Sequence, residues 1–126
     1  MASLLVVALL ILSGIIAYKL INRKLALRGH ELKDSEALGK WEGKEYILDV
    51  RTAEEYKEGH VPGANLIPLN QLGRRFGEIP RDRNVYIMCR SGTRSAEATV
   101  WLLKKGFDNV YNISGGMLKW QGPVEK

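Results

Sequence analysis

The sequence predicts an α/β domain with a parallel-rich sheet flanked by helices, preceded by one transmembrane helix. Three observations predict it. Short β-type runs alternate with helix starts across connections of a few residues, the pattern of parallel strands joined by crossover helices. One such run, Val85-Tyr86-Ile87-Met88, ends on the only cysteine, Cys89, and a polar loop then leads into an alanine-rich, helix-favouring run. Finally, Met1 to Tyr18 contains no charged side chain.

The apolar start comes first in the chain. Leu4 to Leu12 continues through Ile15-Ile16-Ala17, and with Leu20 and Ile21 it is long enough to cross a bilayer core as a helix. It has no polar face, which argues against a buried core helix. A cleaved signal peptide needs a basic start and a small-x-small site. No Lys or Arg precedes the run, and Ser13-Gly14-Ile15-Ile16-Ala17 offers only a poor site. We therefore expect an anchor over 1–21, a basic juxtamembrane linker over 22–31 and the folded domain over 32–126. Lys19, Arg23, Lys24 and Arg28 follow the run. The positive-inside bias then predicts a single-pass protein of the cell membrane whose domain faces the cytoplasm.

The remaining elements follow in order. Asp34-Ser35-Glu36-Ala37-Leu38 reads as a capped short helix, and Tyr46 to Val50 as a strand. Thr52-Ala53-Glu54-Glu55-Tyr56 has a cap and acidic first-turn residues, so it starts a helix. Gly59-His60-Val61-Pro62-Gly63-Ala64 is a loop. Asn65 to Pro68 is a minimal strand, and Leu69 to Phe76 a short helix weakened by Gly73. After the strand Val85 to Met88, a helix is expected over Ser95 to Lys105, stopped by Gly106. Val110 to Ile113 is a strand, and Ser114-Gly115-Gly116 opens a last short helix through Trp120. Ligands of such sheets sit at the carboxyl ends of the strands. The loop after Asp49, the Cys89 loop and Gly115-Gly116 should converge there. Trp41, Trp101 and Trp120 read as packing residues.

Composition narrows the function. The chain of 126 residues suits one modest domain, and a single cysteine excludes an intrachain disulfide and any multi-cysteine metal site. No metal and no cofactor are expected. From Lys33 onward there are 15 basic and 13 acidic residues, a balance of +2, so the net charge of +5 is no nucleic-acid footprint. A lone reactive thiol suits a reducing compartment.

Cys89 stands where a strand, a tight loop and a helix N-terminus gather backbone N–H groups, a setting that stabilises a sulfur anion. Gly92 lets the loop bend, Ser91 and Thr93 offer hydroxyl donors, and Arg90 and Arg94 add positive charge. Arg94 is expected to hold an oxyanion bidentately. Cys89 is thus a candidate nucleophile that carries sulfur.

Several marks together resemble a rhodanese domain: Leu48-Asp49-Val50-Arg51, Glu54-Glu55-Tyr56, Gly59-His60-Val61-Pro62-Gly63-Ala64, Cys89-Arg90-Ser91-Gly92-Thr93-Arg94-Ser95, and Gly115-Gly116 with Trp120. The match covers about Leu32 to Trp120. The resemblance implies an α/β sulfurtransferase of thiosulfate sulfurtransferase type. Its thiolate, here Cys89, takes a sulfane sulfur from a donor such as thiosulfate and passes it to a thiol, to cyanide or to a sulfur-accepting protein. Arg90 to Arg94 would form the substrate cradle, and Ser95 would open the helix behind it. Asp49, Arg51, His60, Gly115 and Gly116 would brace the scaffold.

Two other functions remain open from sequence. One is a non-turnover module that binds or relays persulfide sulfur at the membrane. The other is a cysteine-dependent phosphatase of the same fold. Phosphatases of this kind place five residues between Cys and Arg, whereas four separate Cys89 from Arg94.

Overall fold

The computed structural model describes residues 3–126. Helix α1 (Leu4–Ala26) is capped by Ser3, whose side chain accepts from the Val6 N–H at 3.2 Å. Its apolar side chains are exposed along nearly the whole length. The helix continues into the first half of the stretch expected as a linker and ends at Ala26. The physical reason is that Asn22 to Ala26 contains no Gly or Pro, and Arg23 and Lys24 suit the negative end of the helix dipole. Leu27 is then buried against the domain, and Gly29, at φ 80°, turns the chain away.

The folded domain follows with β1 (Glu31–Leu32), α2 (Asp34–Gly39), β2 (Tyr46–Asp49), α3 (Ala53–Glu58) and β3 (Asn65–Leu66). Two 3-10 turns, Leu69–Gln71 and Phe76–Glu78, flank the single-turn α4 (Leu72–Arg75) where one short helix was expected. Then come β4 (Val85–Met88), α5 (Thr93–Lys104), β5 (Val110–Ile113) and α6 (Gly116–Lys119). The five strands form one sheet in the order β1-β5-β4-β2-β3, and every pairing is parallel.

Alternation along the strands builds two cores. Leu48, Val85 and Ile87 point to the face covered by Leu72, Ala98, Leu102 and Phe107. Ile47, Tyr86 and Met88 point to the face covered by Ala37, Val61 and Trp120. All four residues of β4 are buried, as a central strand covered on both faces requires. That strand delivers Cys89 to the carboxyl edge of the sheet. Outside this sandwich, the last turns of α1 lie against α5.

Candidate active site

Cys89 leaves β4 fully buried. Its Sγ accepts the Gly92 N–H at 3.0 Å and lies 3.2 Å from Ser95 Oγ. Gly92 makes this close turn with φ 96° and serves as the N-cap of α5. The helix therefore begins at Thr93, two residues before the expected start. Ser95 does not open it but sits one residue short of completing its first turn, buried, with its hydroxyl facing the sulfur. Thr99 holds Ser95 in place by donating to its carbonyl at 2.7 Å. Arg90, Ser91 and Thr93 are exposed on the outer side of the loop.

The loop is clamped from its neighbours. A Cβ on Gly92 would overlap the Ser114 carbonyl, so the loop lies directly on the end of β5. Asn112 Nδ2 donates to the Gly92 carbonyl at 3.3 Å and to Glu31 Oε2 at 3.1 Å. From the third loop, Met117 N–H donates to the Cys89 carbonyl at 2.9 Å and Leu118 N–H to the Arg90 carbonyl at 3.0 Å. Gly116 has φ 61°, and a Cβ there would overlap the Arg90 carbonyl. Gly115 donates its N–H to Asp34 Oδ1 at 2.8 Å. Burial pushes the Asp34 carboxyl above its ordinary pKa.

The arginine expected to face an oxyanion is engaged elsewhere. Arg94 donates from Nη1 to Glu55 Oε1 at 2.7 Å and from Nη2 to Glu55 Oε2 at 2.8 Å. This bidentate pair holds the Glu55 carboxyl down at about 2 and keeps Arg94 protonated. Glu55 also closes a capping box with Thr52 at the start of α3, accepting from the Thr52 N–H at 3.1 Å. One carboxylate thus orders two helix starts.

Asp49 and Arg51 form a second brace. Asp49 accepts from the Arg51 N–H at 3.0 Å and from its guanidinium at 2.8 to 3.1 Å. Arg51 reaches on to the carbonyls of Glu55 at 3.1 Å and Gly59 at 2.8 Å. His60 stacks on Tyr56 with ring centroids 3.7 Å apart. Its Nδ1 lies 2.8 Å from the Tyr56 carbonyl and its Nε2 3.3 Å from Glu125. Both ring nitrogens are therefore turned toward protein groups.

Of the residues singled out in the sequence, Cys89, Gly92 and Ser95 meet at the sulfur, and Gly115 and Gly116 pack behind the loop. Asp49, Arg51 and His60 lie around α3 instead. Glu55, Asn112 and Asp34 were missed as parts of the site. Only Glu55 carried a sequence signal, its position three residues after Thr52.

Comparison with known proteins agrees with this fold. The rhodanese-like domain family matches residues 30–123. The chain belongs to that family, and its fold is the parallel-sheet α/β fold of rhodaneses. It is 42% identical over 82 residues to YqhL of Bacillus subtilis, a match covering 65% of each chain, just under two thirds of the relative's length. It is 40% identical over 74 residues to a sulfurtransferase of Allochromatium vinosum, covering 59% of this chain and 69% of that one. The crystal structure of a rhodanese-like domain protein from Staphylococcus aureus superposes with a TM-score of 0.70 at 33% identity, over 76% of this chain and 96% of that one.

Proposed function

We propose that the chain is a membrane-anchored sulfurtransferase that carries sulfur as a persulfide on Cys89. The observation that carries this reading is the Gly92 N–H directed at Cys89 Sγ from 3.0 Å, in a loop that ends on a helix N-terminus. The name of the Allochromatium vinosum relative, a sulfurtransferase, supports the same class of reaction. The Cys89 thiolate attacks the outer sulfur of thiosulfate. A new S–S bond forms, the donor's own S–S bond breaks, and sulfite leaves with that electron pair. An acceptor thiolate then attacks the outer persulfide sulfur and takes it, returning Cys89 as thiolate. The Gly92 N–H, the Ser95 hydroxyl and the positive end of the α5 dipole stabilise the anionic sulfur at both stages.

Two features favour sulfur over a phosphate ester. Only four residues separate Cys89 from Arg94, and the Arg94 fork is already occupied by Glu55. A phosphoryl group would find a smaller loop and an Arg94 fork that is already engaged.

The helix α1 supports an anchor. Its apolar part, Leu4 to Ile21, reaches about 27 Å, near the lower end of what a hydrocarbon core of about 30 Å needs, and its mean hydropathy is 2.6 over the most apolar stretch. The basic residues after it, Arg23, Lys24 and Arg28, favour a domain facing the cytoplasm.

The complete burial of Cys89 favours a second reading, a relay module that a partner must open before sulfur moves. Thiosulfate:cyanide turnover by the full chain and by Cys89→Ser separates the cases, with circular dichroism confirming the fold. Sustained turnover lost in the variant supports the enzyme. A single stoichiometric transfer supports the relay. Equal activity in both chains overturns both readings.

A further inference from the structure

We propose that the cavity between the end of α1 and the outer wall of the Cys89 loop binds the headgroup of an anionic phospholipid. This site rests on the reading of α1 as an anchor. The cavity holds about 370 Å³ and is open to the surface. Arg23 and Lys24 line it from α1, and Ser91 and Thr93 from the loop. Among the described residues neither cation forms an ion pair, and neither hydroxyl has a partner. The single carboxylate in the lining, Glu31, already accepts from Asn112. The lining is therefore net positive and carries uncommitted donors, which suits a phosphate diester.

Depth points to a lipid as the source of that phosphate. The uncharged stretch ends at Tyr18 and Lys19 follows it, both residue types that settle at the membrane interface. Arg23 and Lys24 lie four to five residues further along the helix, roughly 6–8 Å beyond. That is the depth of the headgroup layer outside a hydrocarbon core of about 30 Å. Leu20 lines the same cavity on the membrane side of the cations and matches the glycerol and upper acyl part of an amphiphile rather than a free anion. Because α1 runs unbroken to Ala26, the catalytic loop is held at this level rather than swung on a tether. Sulfur transfer would then take place at the headgroup layer, beside a bound lipid.

The test uses the full chain in detergent, titrated with phosphatidylglycerol and followed by native mass spectrometry. We expect a saturable one-lipid adduct that phosphatidylcholine does not reproduce. Arg23→Gln and Lys24→Gln should each weaken it about fivefold, the factor that corresponds to about 1 kcal/mol per basic residue. Arg28→Gln removes the same charge outside the cavity and should leave affinity within about twofold. An equal loss in Arg28→Gln, or no preference for phosphatidylglycerol, overturns the site. Complete displacement of the lipid by millimolar inorganic phosphate overturns it in favour of a free anion. Carbonate extraction of the wild type separates the two readings. A chain stripped from membranes overturns the anchor and this site together, whereas a retained chain with no specific adduct overturns this site alone.

Discussion

Glu55 grips Arg94 through both terminal guanidinium nitrogens, at 2.7 and 2.8 Å, and so ties the start of α3 to the start of the helix behind Cys89. The pair spans 39 residues of sequence. It takes the one arginine of the loop that could have clamped a substrate oxyanion and makes it part of the frame. Exposed Arg90 is left as the loop's free positive charge.

This pair predicts an acid-sensitive stability. The Glu55 carboxyl titrates at about 2 in the fold, against 4.5 for an ordinary glutamate, because Arg94 favours its charged form. A depressed folded value means that the stabilisation is full above about 4.5 and is lost as pH falls toward about 2. Chemical denaturation across that window should show stability falling in the wild type more steeply than in Glu55→Gln. Parallel curves for the two chains would show that the pair does not couple to folding.

Close backbone approach predicts which glycines matter. Gly92→Ala and Gly116→Ala each place a methyl group into a carbonyl of a neighbouring loop at a positive φ. Each should cost at least about 2 kcal/mol, from left-handed strain plus overlap. Gly63, at φ 79° with nothing within 4 Å, provides the comparison. Gly63→Ala should cost only about 1 kcal/mol, from strain alone. Urea unfolding of the three variants checks the order. Equal losses would mean that the packing of Gly92 on Ser114 and of Gly116 on Arg90 contributes nothing.

Strands β2 to β5 and the cysteine loop could be read from the sequence because each carries a local signal, a short β-type run, a cap or a glycine before an apolar helix, and the parallel pairing follows from the alternation of strands with helices. What could not be read is long-range. Asn112 looks like one polar residue in a strand until the sheet brings it under Gly92. Asp34 looks like a helix-start acid until α2 packs against Gly115. β1 is two residues long, too short for any periodicity. The continuation of α1 beyond the anchor, through Ala26, was not legible for a different reason. The apolar run stops near Ile21, but hydrophobicity reports the bilayer, while helix continuation depends on backbone propensity, and nothing from Asn22 to Ala26 breaks it.

Topology gives a prediction in intact cells. With the basic residues following the apolar run, protease added from outside should leave the segment from Glu31 to Lys126 uncut until the cells are lysed. Digestion without lysis would place the domain outside. Recovery of a mature chain lacking its first residues would instead mark the apolar run as a signal peptide.

The central claim is that Cys89 itself holds the transferred sulfur. Mass spectrometry of the full chain after incubation with thiosulfate and removal of excess donor tests it most directly. The account predicts that the peptide containing Cys89 gains the mass of one sulfur atom, that the gain disappears on treatment with cyanide or a thiol, and that Cys89→Ser never shows it. Sulfur transfer to an acceptor with the Cys89 peptide unmodified at every stage would contradict it.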